Sequence, residues 1–173
     1  AILDGADSLM VTGETAIGKH PIKVIKVLSK VINNTELSIN YGQYSKWSTN
    51  NEINTANAIS HAACAVSRSQ RIGVLATMTH SGYTARMAAR YRPASKIIAL
   101  TPFKKTCRKL AIVWGVSPAL VRDYKSADEI PEVANEELQK LGLIKKGESF
   151  VVTGGVPVGI SGTTNYLTVL TGS

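Results

Sequence analysis

No apolar run in the sequence approaches the roughly 20 residues needed to cross a bilayer, so no transmembrane helix is expected. The start lacks a basic region followed by an apolar stretch, which argues against a secretory signal. There are only two cysteines, Cys64 and Cys107, far apart and in no metal-ligand spacing. They read as two buried thiols of a cytoplasmic protein, not as a disulfide framework or a zinc site. Aromatic residues make up 6% of the chain, few for the stacking platforms of a single-stranded nucleic-acid binder, and no nucleic-acid recognition module is present. Also missing are a Walker-type phosphate loop, a Ser/His/Asp nucleophile arrangement, internal repeats and low-complexity tracts.

One absence is local. Residues 53 to 122 contain no Asp or Glu, yet hold Arg68, Arg71, Arg86, Arg90, Arg92, Lys96, Lys104, Lys105, Arg108, Lys109 and Arg122. Acids return at Asp123, Asp128, Glu129, Glu132, Glu136 and Glu137, and the net charge is +8. A field of one sign favours anionic partners: phosphorylated metabolites, nucleic acid, or an acidic face of another subunit. A solvated basic surface is the plain alternative.

What remains is a chain of globular composition, 44% hydrophobic and 18% charged. It begins at Ala1 and enters ordered-looking sequence at once, which suggests a piece of a longer or processed chain. Residues 7–12 contain a short apolar run that predicts a buried strand. A glycine-containing turn follows, and Pro21 suits the first position of a helix. That helix carries Ile22, Ile25, Leu28 and Ile32 at helical spacing, with Lys23, Lys26 and Lys30 on another face. Residues 41–51, rich in Ser, Asn, Gln and Tyr, read as a linker between a unit at 1–40 and a domain at 52–173.

Beyond the linker, Ile53, Ala56, Ile59, Ala63 and Val66 predict a helix. Strands are then expected at 72–76, 97–100, 119–121, 150–152 and 166–170. Helices are expected at 84–91, at 105–114 and from an Asp128 cap toward Gly142. The Asp128 cap is preferred over a Ser126–Glu129 capping box, because it brings Pro131 among the first helical positions. Such alternation implies an α/β domain, a mainly parallel five-stranded sheet with helices on both faces. The short connection between the last two strands allows an antiparallel final strand.

Three segments could carry chemistry. In the first, Glu14 could position water or relay a proton, and the hydroxyls of Thr12 and Thr15 could bind phosphoryl oxygens; small residues around one acid are equally an ordinary loop. The second, Thr79, His80, Ser81, Gly82, Tyr83 and Thr84, follows a strand and opens a helix. Its hydroxyls and amides suit an anion cradle, or merely cap the helix. The third runs from Thr153 through Gly154, Gly155, Gly159, Ser161, Gly162 and Thr163, a glycine- and hydroxyl-rich connection able to wrap a phosphate or to be a plain surface loop. Met78 and Met87 read as packing residues.

Taken in order, these segments resemble the carboxy-terminal end of the pyruvate kinases. Leu3-Asp4-Gly5-Ala6-Asp7, Met10, Gly13-Glu14-Thr15-Ala16 and Gly18-Lys19-His20-Pro21 are similar to the eighth barrel strand, loop and helix. Ser81-Gly82-Tyr83-Thr84-Ala85-Arg86 with Ala89-Arg90-Tyr91-Arg92-Pro93 resembles the effector-site loop and helix. Trp114-Gly115-Val116, Lys146-Gly147-Glu148, Gly155-Val156-Pro157-Val158-Gly159 and Ser161-Gly162-Thr163-Thr164-Asn165 follow in family order. The resemblance covers essentially the whole chain.

It implies a β/α remnant of a TIM barrel followed by the regulatory domain. It also implies transfer of a phosphoryl group from phosphoenolpyruvate to ADP in a cytoplasmic homotetramer, with Mg2+ and K+. Thr12 and Glu14 would lie near the catalytic water network. The segments Thr79–Thr84 and Gly154–Thr163 would hold a phosphorylated effector. The family often has serine at Thr12, tyrosine at His20 and a basic residue at Tyr83. The last departure leaves open fructose bisphosphate, another sugar phosphate, a nucleotide, or no effector. The phosphoryl-stabilising lysine and the acidic magnesium ligands would lie on earlier barrel strands, so no cofactor is expected on this chain and it should be inactive alone. A free-standing phosphometabolite-binding module is the alternative; its helix at 21–37 would leave an apolar face uncovered.

Overall fold

The structure, a computed structural model, describes residues 1–40 and 54–173. The linker expected at 41–51, and Ile53 of the helical stripe, lie outside the described residues. The chain divides into two compact units, Ala1–Asn40 and Tyr41–Ser173.

The first unit contains α1 (Gly13–Ala16) and α2 (Pro21–Glu36). Pro21 occupies the start of α2, where no intrahelical partner for its missing N–H is needed. The strand expected at 7–12 does not form. A strand exists only through ladder bonds to a neighbour, and no other strand lies within this unit. None of the residues of α2 is buried; Ile22 is 72% exposed and Val31 55%.

The second unit contains α3 (Thr55–Ser69), β1 (Val74–Met78), α4 (Tyr83–Ala89), β2 (Lys96–Thr101), α5 (Lys104–Leu110), β3 (Val116–Leu120), α6 (Glu129–Lys140), β4 (Ser149–Gly155) and β5 (Thr164–Thr171). The five strands form one sheet in the order β3-β2-β1-β4-β5. β1 pairs in parallel with β2 and β4, and β2 with β3, while β5 runs antiparallel to β4. The architecture is the expected α/β sheet, with the last strand reversed.

Strand residues alternate between two cores. Val74, Ala76 and Met78 of β1 join Ile98, Leu100, Phe150 and Val152 against Ile130, Val133, Ala134 and Leu138 of α6. Leu75, Ile97, Ala99 and Val151 face Ala63 and Cys64 of α3, Ala85, Ala88 and Ala89 of α4 and Leu110 of α5. Each large side chain so buried contributes about 1.5–3 kcal/mol of transfer free energy. β1 is buried along its whole length, as a central parallel strand covered on both faces requires.

Several boundaries differ from expectation. α3 turns small and polar residues inward: Ala56, Asn57, Ser60, Ala63, Cys64 and Ser67 are buried, and Ile59 is only half-buried. The alanine-rich α4 beside it leaves room for small side chains, and Ser67 Oγ meets its polar needs by donating to the Cys64 carbonyl. Cys64 is buried, its thiol pushed up to about 12 by desolvation, but Cys107 is only half-buried. At α6, Asp128 stands at the cap position without a side-chain cap bond. The Glu129 carboxylate instead reaches back to the segment before the helix, accepting from the amides of Lys125 (2.9 Å) and Ser126 (3.1 Å). Half of the rejected capping box, the bond from the Ser126 amide to Glu129, therefore forms.

Candidate functional site

The strand order reverses at β1. From it the chain moves outward through β2 and β3, then returns to place β4 on the other side. In open α/β sheets the crevice beyond the carboxyl ends of such a strand pair is where ligands bind. Here the segment after β1 begins at Thr79, and the segment after β4 covers 156–163.

The first segment is held from several directions. The Thr79 amide donates to the Leu100 carbonyl at 3.0 Å, and Thr79 Oγ1 accepts from the Gly82 amide at 2.9 Å. Thr106 Oγ1 donates to the His80 carbonyl at 2.7 Å, and Arg86 Nη1 to the Ser81 carbonyl at 3.4 Å. Gly82 has φ +84°, and a Cβ there would lie 3.0 Å from Leu110 Cδ2. Only glycine satisfies both conditions without strain.

The second segment is closed at its base by Asn165, whose side chain accepts from the Val156 amide at 2.8 Å and donates to its carbonyl at 2.6 Å. A Cβ on Gly155 would sit 2.7 Å from Thr163 Oγ1, so the close approach of the two limbs needs glycine. Two hydroxyl pairs then join the segments: Ser81 Oγ with Ser161 Oγ at 2.7 Å, and Thr84 Oγ1 with Thr164 Oγ1 at 2.8 Å.

Between the segments lies a cavity of about 20 Å3, room for roughly one water. The structure brings Thr79, His80, Ser81, Tyr83 and Thr84 to it from the first segment, and Gly155, Gly159, Ser161, Gly162 and Thr163 from the second. Gly154 and Gly82 do not line it. A Cβ on Gly154 would press on Met78 at 3.1 Å, so that residue serves packing between β4 and β1. Sequence reasoning missed Tyr124, which lines the cavity from the segment after β3. The signal for it was topological: the segments after parallel strands all emerge on one edge of the sheet. Met78, read as packing alone, both packs in the core and lines the cavity. A wider cleft of about 480 Å3 shares Tyr83, Gly162, Thr163 and Thr164 and extends to Asn54 and Thr55.

His80 sits between the rings of Phe103 and Tyr124, at centroid distances of 5.4 and 5.0 Å. Its Nε2 is 4.0 Å from Asp123 Oδ1. Desolvation lowers its pKa below the usual imidazole value, opposed by the Asp123 charge. One residue before Asp123, Arg122 is engaged by Glu129 at 2.9 Å and Glu132 at 3.1 Å.

In the first unit, Thr12 and Glu14 are exposed. The Thr15 hydroxyl donates to the carbonyls of Val11 and Thr12, both at 3.1 Å, so backbone acceptors occupy it. Glu14 borders an apolar groove formed with Val24, Val27, Leu28 and Val31. Among the described residues no group of three or more His, Cys, Asp or Glu could hold a metal ion. Among those residues no helix is long and apolar enough to cross a membrane.

The family described as "Pyruvate kinase, alpha/beta domain" matches residues 57–170. The pyruvate kinase of Clostridium acetobutylicum is 37% identical over 170 residues, 98% of this chain and 36% of that enzyme. That of Thermotoga maritima is 40% identical over 170 residues, again 98% of this chain and 36% of the relative. The crystal structure of a pyruvate kinase from Cryptosporidium parvum matches with a TM-score of 0.87 at 26% identity, covering 99% of this chain and 34% of that one. The chain thus spans about a third of the length of the relatives it matches. With the match running through nearly all of the sheet and its helices, this chain belongs to the pyruvate kinase family.

Proposed function

We propose that the chain is the carboxy-terminal part of an enzyme that transfers the phosphoryl group of phosphoenolpyruvate to ADP, giving pyruvate and ATP. Within it, the α/β unit binds a phosphorylated small molecule as a regulatory ligand and contributes to a homotetramer in the cytoplasm. The observation that carries the ligand reading is the meeting of two hydroxyl-bearing segments at the reversal of strand order, joined by the Ser81–Ser161 and Thr84–Thr164 pairs. A phosphate has the acceptor oxygens to replace those hydroxyl–hydroxyl bonds with charge-assisted ones. The first segment lies within a stretch that contains no acid between residues 53 and 122, and the Asp123 carboxylate 4.0 Å from His80 Nε2 is 58% exposed and so screened by solvent.

The first unit is the last β/α element of a catalytic barrel, with the rest of that barrel as its partner. The exposed apolar residues of α2 support this, since a barrel helix buries such a stripe against its neighbours. Thr12 and Glu14 stand near the reacting water network, and Mg2+ and K+ act on residues outside this chain. Alone, the chain does not turn over phosphoenolpyruvate.

A second reading is a free-standing phosphometabolite-binding module. One observation favours it: the sheet is covered on both faces by helices of its own unit. Calorimetric titration of the full chain with glucose 6-phosphate, fructose bisphosphate and AMP tests the binding common to both. Saturable binding of one of them is expected, lost or weakened in Ser81→Ala; no binding of any phosphorylated ligand would remove the reading. Steady-state assay with phosphoenolpyruvate and ADP tests inactivity, and measurable turnover by the chain alone would contradict it.

A further inference from the structure

Residues 53 to 122 are rich in Lys and Arg, yet among the described residues no Lys or Arg lines the cavity between the two segments. Its lining consists of hydroxyls, glycines, apolar side chains, two tyrosines and one base, His80. Arg86 of α4 points a nitrogen at the Ser81 carbonyl, 3.4 Å away. We propose that His80 is a proton-gated ligand for the anionic group in this cavity, so that a dianionic phosphate or sulfate binds more tightly when the imidazole is protonated. The inference rests on the ligand-binding reading above and adds its regulation by pH.

The geometry suits the role. The ring is clamped between Phe103 and Tyr124, so it is positioned before a ligand arrives. Its backbone is anchored by Thr106, which leaves the imidazole as the variable element. The groups that face it are few. The segment after β3 supplies the Asp123 carboxylate at 4.0 Å and the Tyr124 phenol. The α5 side supplies Phe103 and the Thr106 hydroxyl. The segment at 156–163 has no titratable side chain, and from α4 come Tyr83, which lines the same cavity, and Arg86. Asp123 is 58% exposed, so solvent screens its competition with an incoming anion.

The direction of the linkage follows. Burial lowers the pKa of His80 in the free protein, with Asp123 in partial opposition, which favours the neutral ring. A bound dianion favours imidazolium and raises that pKa. By reciprocity, affinity strengthens as the pH falls through the bound-state value, and levels off below the free-state value.

Inorganic sulfate is the suitable probe, because it stays a dianion where phosphate esters titrate. The full chain is titrated with sulfate at constant ionic strength at pH 5.5 and 8.5. The expected result is ~5- to 10-fold tighter binding at the lower pH, about the effect of a pKa rise near one unit. In His80→Gln the two affinities should become equal, close to the wild-type value at pH 8.5. Imidazole proton NMR of the wild type, with the His80 signal assigned by its loss in that variant, should show its pKa rising on saturation. Equal affinities at both pH values in the wild type, an undiminished pH ratio in His80→Gln, or an unmoved His80 pKa at saturating sulfate would each overturn the inference while leaving the binding site in place. If neither sulfate nor any sugar phosphate binds at either pH, the ligand-binding reading fails and this inference with it.

Discussion

Ser81 and Ser161, 80 positions apart in the chain, share a hydroxyl–hydroxyl hydrogen bond of 2.7 Å that ties the segment after β1 to the segment after β4. Both serines line a cavity of about 20 Å3, so under the proposed reading a phosphate would enter as these hydroxyls part and turn toward it, and both side chains would serve as ligand groups. Replacing either by alanine should weaken binding of a sugar phosphate by about 10-fold, the effect of one hydrogen bond to a charged group. Melting temperature should change little, because the pair is exposed. Calorimetric titration with parallel thermal scans checks both; unchanged affinity in Ser81→Ala and in Ser161→Ala would place the phosphate elsewhere.

Gly82 combines φ +84° with a Cβ position 3.0 Å from Leu110 Cδ2. Gly82→Ala should cost about 1–2 kcal/mol of stability through the left-handed backbone and shift the hydroxyls of the segment. Urea denaturation should show a lower midpoint with an unchanged slope. A variant as stable as the wild type would mean that the turn relaxes freely.

Glu129 carries a pH dependence of known sign. The Lys125 amide, then the Arg122 guanidinium and the Ser126 amide, hold its carboxyl below the ordinary range. A carboxylate with a depressed folded-state pKa stabilises fully above its unfolded-state pKa, and that contribution is lost as the pH falls through the folded value. Wild-type stability should therefore drop between the ordinary carboxylate range and the lower folded value, and Glu129→Gln should flatten that part of the profile. Denaturant midpoints at intervals from pH 6 to pH 3 provide the comparison; parallel profiles would assign the acid sensitivity to other carboxylates.

Much of the second unit was legible in the sequence because its signals are local. Alternation of apolar runs with helical stripes foretold five strands, and the short span between the last two allowed the antiparallel β5. Pro118 obscured the beginning of β3, which runs Val116–Leu120. An edge strand tolerates proline where a central strand does not, and edge position is not a local property. The helix stripe on α3 was read too hydrophobically, since inward positions are decided by how closely α4 approaches. At 7–12 the apolar run promised a strand that its own unit cannot pair.

The candidate site divides in the same way. Thr79, Ser81, Gly155 and Ser161, which the structure brings to one cavity, could be marked as candidates from residue type, although capping and plain loop roles fit the same residues. That Ser81 would touch Ser161 was not, as it depends on β1 and β4 being neighbours. Tyr124 escaped because nothing around it marks a site until the sheet brings its segment to the same edge as the others. Gly154 is part of the glycine-rich connection that the family resemblance implies holds an effector; in the structure a Cβ there would press on Met78 at 3.1 Å.

The apolar residues of α2, among them Ile22 at 72% exposure and Val27 at 54%, should make the isolated chain associate through that face. Ile22→Lys combined with Val27→Lys should reduce the self-association seen by analytical ultracentrifugation, without altering the stability of the second unit. Equal association of both proteins would assign the contact to another surface.

The most direct measurement is backbone NMR of the uniformly labelled full chain during titration with glucose 6-phosphate, fructose bisphosphate and AMP in turn. Saturable shifts concentrated at residues 79–84 and 155–164 are expected for at least one of them. Absence of saturable shifts with all three, or shifts confined to the opposite edge of the sheet, would contradict the account.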